Sequence, residues 1–126
     1  MTGYGRPLQF GFSPTAEACR IPALPEITKV TDTAGLGPLG VQDRPYHAKF
    51  RDAWALMATV LARTERVRMC PDVSSLPLPP PAVMAKMAAS LDVMSGGRFE
   101  LAVGAGLPPP TRKPPGSRTP TSRRSR

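Results

Sequence analysis

The chain has 126 residues, 40% hydrophobic and 21% charged, enough for one domain with a modest core and too few for two. Its formal net charge of +8 is unevenly placed: residues 1–106 carry eleven Lys/Arg against nine Asp/Glu, whereas residues 107–126 carry six Lys/Arg and no acid. The body is therefore no basic nucleic-acid module, and no apolar run approaches the roughly 18 residues that a membrane span requires.

The opening "MTGYGRPLQF" lacks the charged region and long apolar core of a signal peptide. Cys19 and Cys70 stand far apart, without CxxC or metal-ligand spacing, so a reduced, cytoplasmic protein with no metal site is expected. "LQFGF", Leu8 to Phe12, reads as a strand. Ile21, Leu24, Ile27, Val30 and Ala34 then recur at helical spacing, with Gly35 placed to end the helix in a left-handed conformation. "LGPLGVQ", Leu36 to Gln42, is a weaker strand whose Pro38 suits its start.

The beat repeats. Phe50, Trp54, Met57 and Leu61 line one helical face, and "VRMCPDV", Val67 to Val73, is the third strand. Pro80 and Pro81 fit a helix start, where a missing N–H costs little; Val83, Met87, Leu91 and Met94 mark its expected buried stripe, and Gly96-Gly97 stops it. "RFELAVG", Arg98 to Gly104, is the fourth strand. Strands beginning near residues 8, 36, 67 and 98 give βα units of about thirty residues, the length of parallel-sheet units. An open doubly wound sheet, a flavodoxin-like domain and the first half of a (β/α)8 barrel all share this pattern. No glycine-rich phosphate fingerprint follows the first strand, where the chain reads "SPTAEACRIP". The Gly-x-Gly of "VGAGLPPP" lacks a third glycine, and Pro108 to Pro110 forbid a helix that would hold a phosphate.

Three stretches carry a family likeness: Gly40 to Tyr46; Thr64-Glu65-Arg66-Val67; and Ala82 through Ser95-Gly96-Gly97-Arg98 to Gly106. In order and spacing they resemble the N-terminal half of the bacterial-luciferase-like flavin-dependent oxidoreductases, which include enzymes using a deazaflavin coenzyme. The resemblance covers roughly Leu8 to Gly106 and implies an α/β chain forming the first half, four βα units, of a (β/α)8 TIM barrel. Barrel chemistry sits on loops at the C-terminal ends of the strands. On this chain these are Phe12-Ser13-Pro14, Asp43-Arg44-Pro45-Tyr46, Ser74-Ser75 and Gly104-Ala105-Gly106. The resemblance implies FMN or a deazaflavin coenzyme of the F420 type, with Asp43, Arg44, Ser74, Gly104 and Gly106 as cofactor contacts, and a small organic substrate. Two positions depart from the family pattern. Arg44 stands where relatives often carry histidine, and Pro79 where they tend to carry arginine; an arginine donates hydrogen bonds but does not give up its proton.

After Gly106 the likeness stops. The expected division is a partial luciferase-like domain over 1–106 and a disordered Pro/Arg/Ser-rich tail over 107–126, a composition that a shifted reading frame in a GC-rich gene would produce. "SRTPTSRRSR" resembles arginine-serine segments that contact phosphates, but without an aromatic residue for stacking no specific nucleic-acid partner is expected. Four strands leave two bare edges, so self-association through them is expected. His47 reads as a surface residue, Met84, Met87, Met94 and Trp54 as packing, Cys70 as a small strand residue, and Arg98 as a strand flank. The reading is a truncated luciferase-like oxidoreductase of monooxygenase type, inactive alone. The alternative from another class is a non-enzymatic fragment or small basic-tailed binding protein.

Overall fold

In the computed structural model, residues 9–105 are described; Gly106 and the expected tail over 107–126 lie outside them. Strands and helices alternate along the chain. A 3₁₀ turn, Ala18–Ala23, leads into α1 (Leu24–Ala34), then β1 (Leu39–Val41), α2 (Ala53–Leu61), β2 (Met69–Pro71), β3 (Ser74–Ser75), α3 (Pro81–Ser95) and β4 (Val103–Gly104). All strand pairs are parallel except an isolated antiparallel bridge of Glu17 with Phe50.

The pairs come in chain order. Phe12 bridges Leu39, β1 pairs with β2, Met69 bridges Phe99, and β3 pairs with β4. A doubly wound sheet reverses its order at a switch point, whereas a singly wound one adds each strand on the same side. Among the described residues there is no reversal. The expected first strand is present only in outline: Phe10 and Phe12 accept from Gly37 and Gly40 N–H at 3.0 Å each. Its close approach depends on Gly11, where a Cβ would lie 2.0 Å from Pro38 O.

Two expected strands break in the middle, at one place. Met69 stands opposite Phe99 and Ser74 opposite Val103, so five steps on one strand face four on its neighbour. One extra residue is accommodated near Asp72-Val73, as in a β-bulge, and this separates β2 from β3. The Asp72–Val73 peptide is cis.

Leu39, Val41, Val67 and Met69 are buried with Trp54, Met57, Val60 and Leu61 of α2 and with Phe99 in one hydrophobic cluster. The Trp54 and Phe99 rings lie 5.5 Å apart, tilted by 37°. Trp54 is core packing, as expected. Asp52 caps α2 by accepting from Ala55 N–H at 2.7 Å. The opposite face of the sheet holds Gly40 paired with Cys70. Cys70 is half-buried, and burial, then the charges of Glu100 and Asp72, push its thiol up from the ordinary value.

Two helices present the expected faces only in part: Ile21, Leu24, Met87 and Leu91 pack against the core as expected, and others of the expected residues are exposed. On α1 the buried residues are Thr28 and Thr31, while Val30 faces outward. Thr28 and Thr31 share the face of Leu24, and each satisfies its hydroxyl on its own helix, donating to Pro25 O at 3.0 Å and Ile27 O at 2.7 Å. On α3, Met84 and Ser95 are buried and Met87, Ala88 and Leu91 pack partly against the core, while Val83, Val93 and Met94 are exposed. Both helix stops follow expectation, with left-handed Gly35 (φ 68°) and Gly96 (φ 71°).

Arg98 does far more than flank a strand. Its guanidinium donates to Leu61 O (2.8 Å) at the end of α2, Ser95 O (2.8 Å) at the end of α3, Val67 O (3.0 Å) and Thr64 Oγ1 (3.1 Å). A cation is thus placed against helix C-terminal carbonyls that have no intrahelical donor. Close by, the Asp32 carboxylate accepts from the backbone N–H of Glu65, Arg66 and Val67 at 3.2, 2.7 and 2.8 Å. The Thr64–Val67 and Ser95–Arg98 stretches that carried the family likeness therefore form a structural clamp before β2 and the Phe99 bridge.

Candidate functional site

At the other end of the strands, the chain leaving β1, β2 and β4 encloses a cleft of about 280 Å³. It is lined by Gln42, Asp43 and Arg44 after β1, Tyr46 in the same loop, Asp72 and Val73 at the bulge, Ser75 of β3, and Gly104-Ala105. This is the carboxyl end of a parallel sheet, where α/β folds bind their ligands.

Each polar group in the cleft has a distinct environment. Burial pushes the Asp43 carboxyl above the ordinary value of 3.8, outweighing the Ser75 N–H, the Ser74 hydroxyl and the Trp54 indole, which favour the charged form; the Asp52 carboxylate raises it further. No hydrogen bond joins the Ser74 hydroxyl to the Asp43 carboxylate. Ser74 Oγ and Ser75 Oγ are both buried and both without a hydrogen-bond partner. Buried hydroxyls are normally satisfied, so an orphaned pair beside a cleft is what a ligand would complete. Arg44 lies with its guanidinium carbon 5.5 Å from the centre of the Phe50 ring. The exposed His47 meets the same ring edge-on at 5.6 Å, in keeping with its expected surface role.

Gly104 sets the floor. A Cβ there would come within 2.4 Å of Val73 Cγ2, so Val73 can overhang the cleft only above a glycine.

Of the expected contacts, Asp43, Arg44 and Gly104 do line one cleft. Ser74 sits behind it, with Ser75 taking the lining position, and Gly106 lies outside the described residues. Ser13, from the first expected loop, instead donates to Gly40 O at 2.9 Å. Gln42, Asp72 and Val73 were not singled out by sequence reading, whereas Tyr46, Ser75 and Ala105 fall in the strand-end loops it named. Asp72 and Val73 enter the site through the bulge, which leaves no residue signature in "CPDVSS".

The sequence matches the luciferase-like monooxygenases over residues 6–125. The chain belongs to this family. The matched span runs past Gly106, so the likeness does not stop where the sequence reading placed its end. Among curated relatives, 4-hydroxyprotoasukamycin monooxygenase of Streptomyces nodosus subsp. asukaensis is 47% identical over 53 residues, 42% of this chain and 14% of that protein. Pyrimidine monooxygenase RutA of Escherichia coli O7:K1 is 44% identical over 48 residues, 38% of this chain and 14% of that protein.

Solved structures of luciferase-like enzymes share the fold. The oxygenating constituent of 3,6-diketocamphane monooxygenase from Pseudomonas putida, in complex with FMN, superposes with a TM-score of 0.68 at 20% identity over 82% of this chain and 31% of its own. The coenzyme F420-dependent tetrahydromethanopterin reductase of Methanopyrus kandleri gives 0.67 at 17% identity over 81% and 28%. An F420-dependent secondary alcohol dehydrogenase bound to an F420–acetone adduct gives 0.64 at 27% identity over 79% and 32%. The chain thus spans about a third of the length of these structures and a smaller share of the curated relatives. Its α/β fold is that of luciferase-like enzymes, several of which use a flavin or F420. No described helix is long and apolar enough to cross a membrane.

Proposed function

We propose that the chain forms the first four βα units of a (β/α)8 barrel in a flavin- or deazaflavin-dependent oxidoreductase of monooxygenase type, acting on a small organic substrate in the cytoplasm. The observation that carries this reading is the cleft itself. It lies at the strand ends, over a glycine with no room for a side chain, beside two buried hydroxyls without partners. A planar ring needs an apolar wall together with a few convergent polar groups, and Val73 packed onto Gly104, with Asp43 and Ser75 beside it, fits one edge of such a ring. The in-order parallel pairing supports the barrel.

In this reading Val73 and Gly104-Ala105 hold the face of the ring, and Ser75 with Asp43 supplies polar contacts at its edge. Asp43, whose carboxyl burial pushes up, supplies an acceptor for a ring N–H or hydroxyl. Arg44 places a fixed positive charge at the rim and moves no proton. When bound, a reduced flavin supplies hydride or oxygen chemistry, and the protein supplies position and polarity. The cleft has walls from only these segments among the described residues, so ring binding without turnover is expected of this chain alone.

The test is titration of the purified chain with FMN and, separately, coenzyme F420, following cofactor fluorescence. Saturable quenching that weakens in Gly104→Ala supports the reading; an unchanged spectrum at high micromolar cofactor overturns it. The sheet carries Phe12 at one margin and Leu101 and Val103 at the other, all exposed, which favours self-association through the edges. Sedimentation over a range of protein concentrations measures it, and a monomer throughout excludes it.

A further inference from the structure

We propose that Arg44 makes this cleft selective for a small ring compound bearing an anionic oxygen group, such as a carboxylate, and that Arg44 is its specificity-determining residue. Arg44 lines the cleft and is half-buried, with its guanidinium carbon over the Phe50 ring at 5.5 Å from the ring centre. Among the described residues its side chain has no carboxylate partner; the ion pair found there joins Arg68 and Glu100. A guanidinium presents its donors in a planar fork that matches a carboxylate, and a ring face 5.5 Å away attracts the cation without occupying those donors.

A second observation points to a ligand independently. Ser75 lines the same cleft, only 3% exposed, and its hydroxyl has no partner. An acceptor oxygen reached by Arg44 and Ser75 would satisfy both. Val73, Ala105 and Gly104 offer an apolar wall for the rest of a one-ring molecule, which suits the cleft volume of about 280 Å³.

Two carboxyls share the site and set the limits of the selectivity. Asp72 is exposed, so water and salt screen it. Asp43 is half-buried, and burial disfavours its charged form. The anionic end of the ligand is therefore directed to the Arg44 side, and a ring N–H or hydroxyl to the Asp43 side. Tyr46 lies in the same loop and bounds the cleft there.

The inference concerns the flavin-free chain, because the ring of the proposed function would cover the same Val73 and Gly104-Ala105 wall; it rests on the cleft and not on flavin chemistry, so the two fail separately. The experiment uses the full chain with benzoate and benzamide, a pair alike in shape and different in charge. Binding is followed by titration calorimetry, with the fluorescence of Trp54, the single tryptophan, as a reporter close to Asp43. The wild type should bind benzoate about tenfold more tightly than benzamide, the factor expected when a charge-assisted hydrogen bond replaces a neutral one. Added salt should weaken benzoate alone. Arg44→Gln should abolish the preference and Arg44→Lys should keep part of it. Equal binding of the two probes, binding of neither, or a preference that survives in Arg44→Gln overturns the proposal. The salt series on the wild type decides the matter even where a variant does not fold. A chain that quenches FMN fluorescence yet treats both probes alike would retain the proposed function and lose this inference.

Discussion

Gly104 has no space for even a methyl group, because Val73 Cγ2 already occupies the position. Gly104→Ala should therefore destabilise the chain by about 1–3 kcal/mol, the usual cost of overpacking. Most of that loss should return in the double variant Gly104→Ala/Val73→Ala, as read from urea midpoints. Arg98 tests the opposite end of the strands. Arg98→Ala leaves carbonyls of Leu61, Val67 and Ser95 without their donor, and should cost about 2–4 kcal/mol. Arg98→Lys should recover little, since one ammonium cannot reach three separated carbonyls in the guanidinium plane.

The two shifted aspartates should give opposite pH dependences. The carboxyl of Asp43 is raised, so its contribution to stability is complete below 3.8 and is lost as pH rises through the folded-state value. The carboxyl of Asp32 is lowered, chiefly by the Arg66 N–H, so its contribution is present above 3.8 and is lost as pH falls through the folded-state value. Denaturation midpoints across acid pH should therefore lose a declining component in Asp43→Asn and a rising one in Asp32→Asn. Identical profiles in wild type and both variants would refute this assignment.

Among the elements, α2 was the most legible. Asp52 precedes it, its interior is apolar, and the expected face of Trp54, Met57 and Leu61 is buried. Asp52→Ala should lower stability by about 1 kcal/mol through loss of the cap to Ala55, measurable by thermal unfolding. On α3 the helix and its ends were legible but the phase was not. Valine and methionine occur on both sides of it, so periodicity admits more than one buried stripe. The contact that decides the phase is Ser95, whose carbonyl and hydroxyl both engage Arg98. On α1, Ile21 and Leu24 of the expected stripe pack against the core, but the self-satisfied Thr28 and Thr31 are buried where Val30 is not.

Across the whole molecule, stability and candidate chemistry sit at opposite ends of the strands. The Asp32 and Arg98 clamps precede β2 and the Phe99 bridge, while the cleft follows β1, β2 and β4. This separation explains why the Thr64–Val67 and Ser95–Arg98 motifs line no part of the cleft, whereas Gly40 to Tyr46 does: the first two hold helix ends and a backbone turn in place. Variants of the clamp should therefore alter stability without altering the cleft, and variants of Arg44 the reverse. Sequence alone determined the alternation of strand and helix, the helix stops at Gly35 and Gly96, the core role of Trp54, and the family, because these follow from local periodicity, backbone freedom and residue spacing. Only the tertiary structure decided the strand order, the bulge at Asp72-Val73, the faces of α1 and α3, and which loop residues meet. Those depend on register and on contacts between residues about thirty positions apart, where a single extra residue redirects every side chain that follows.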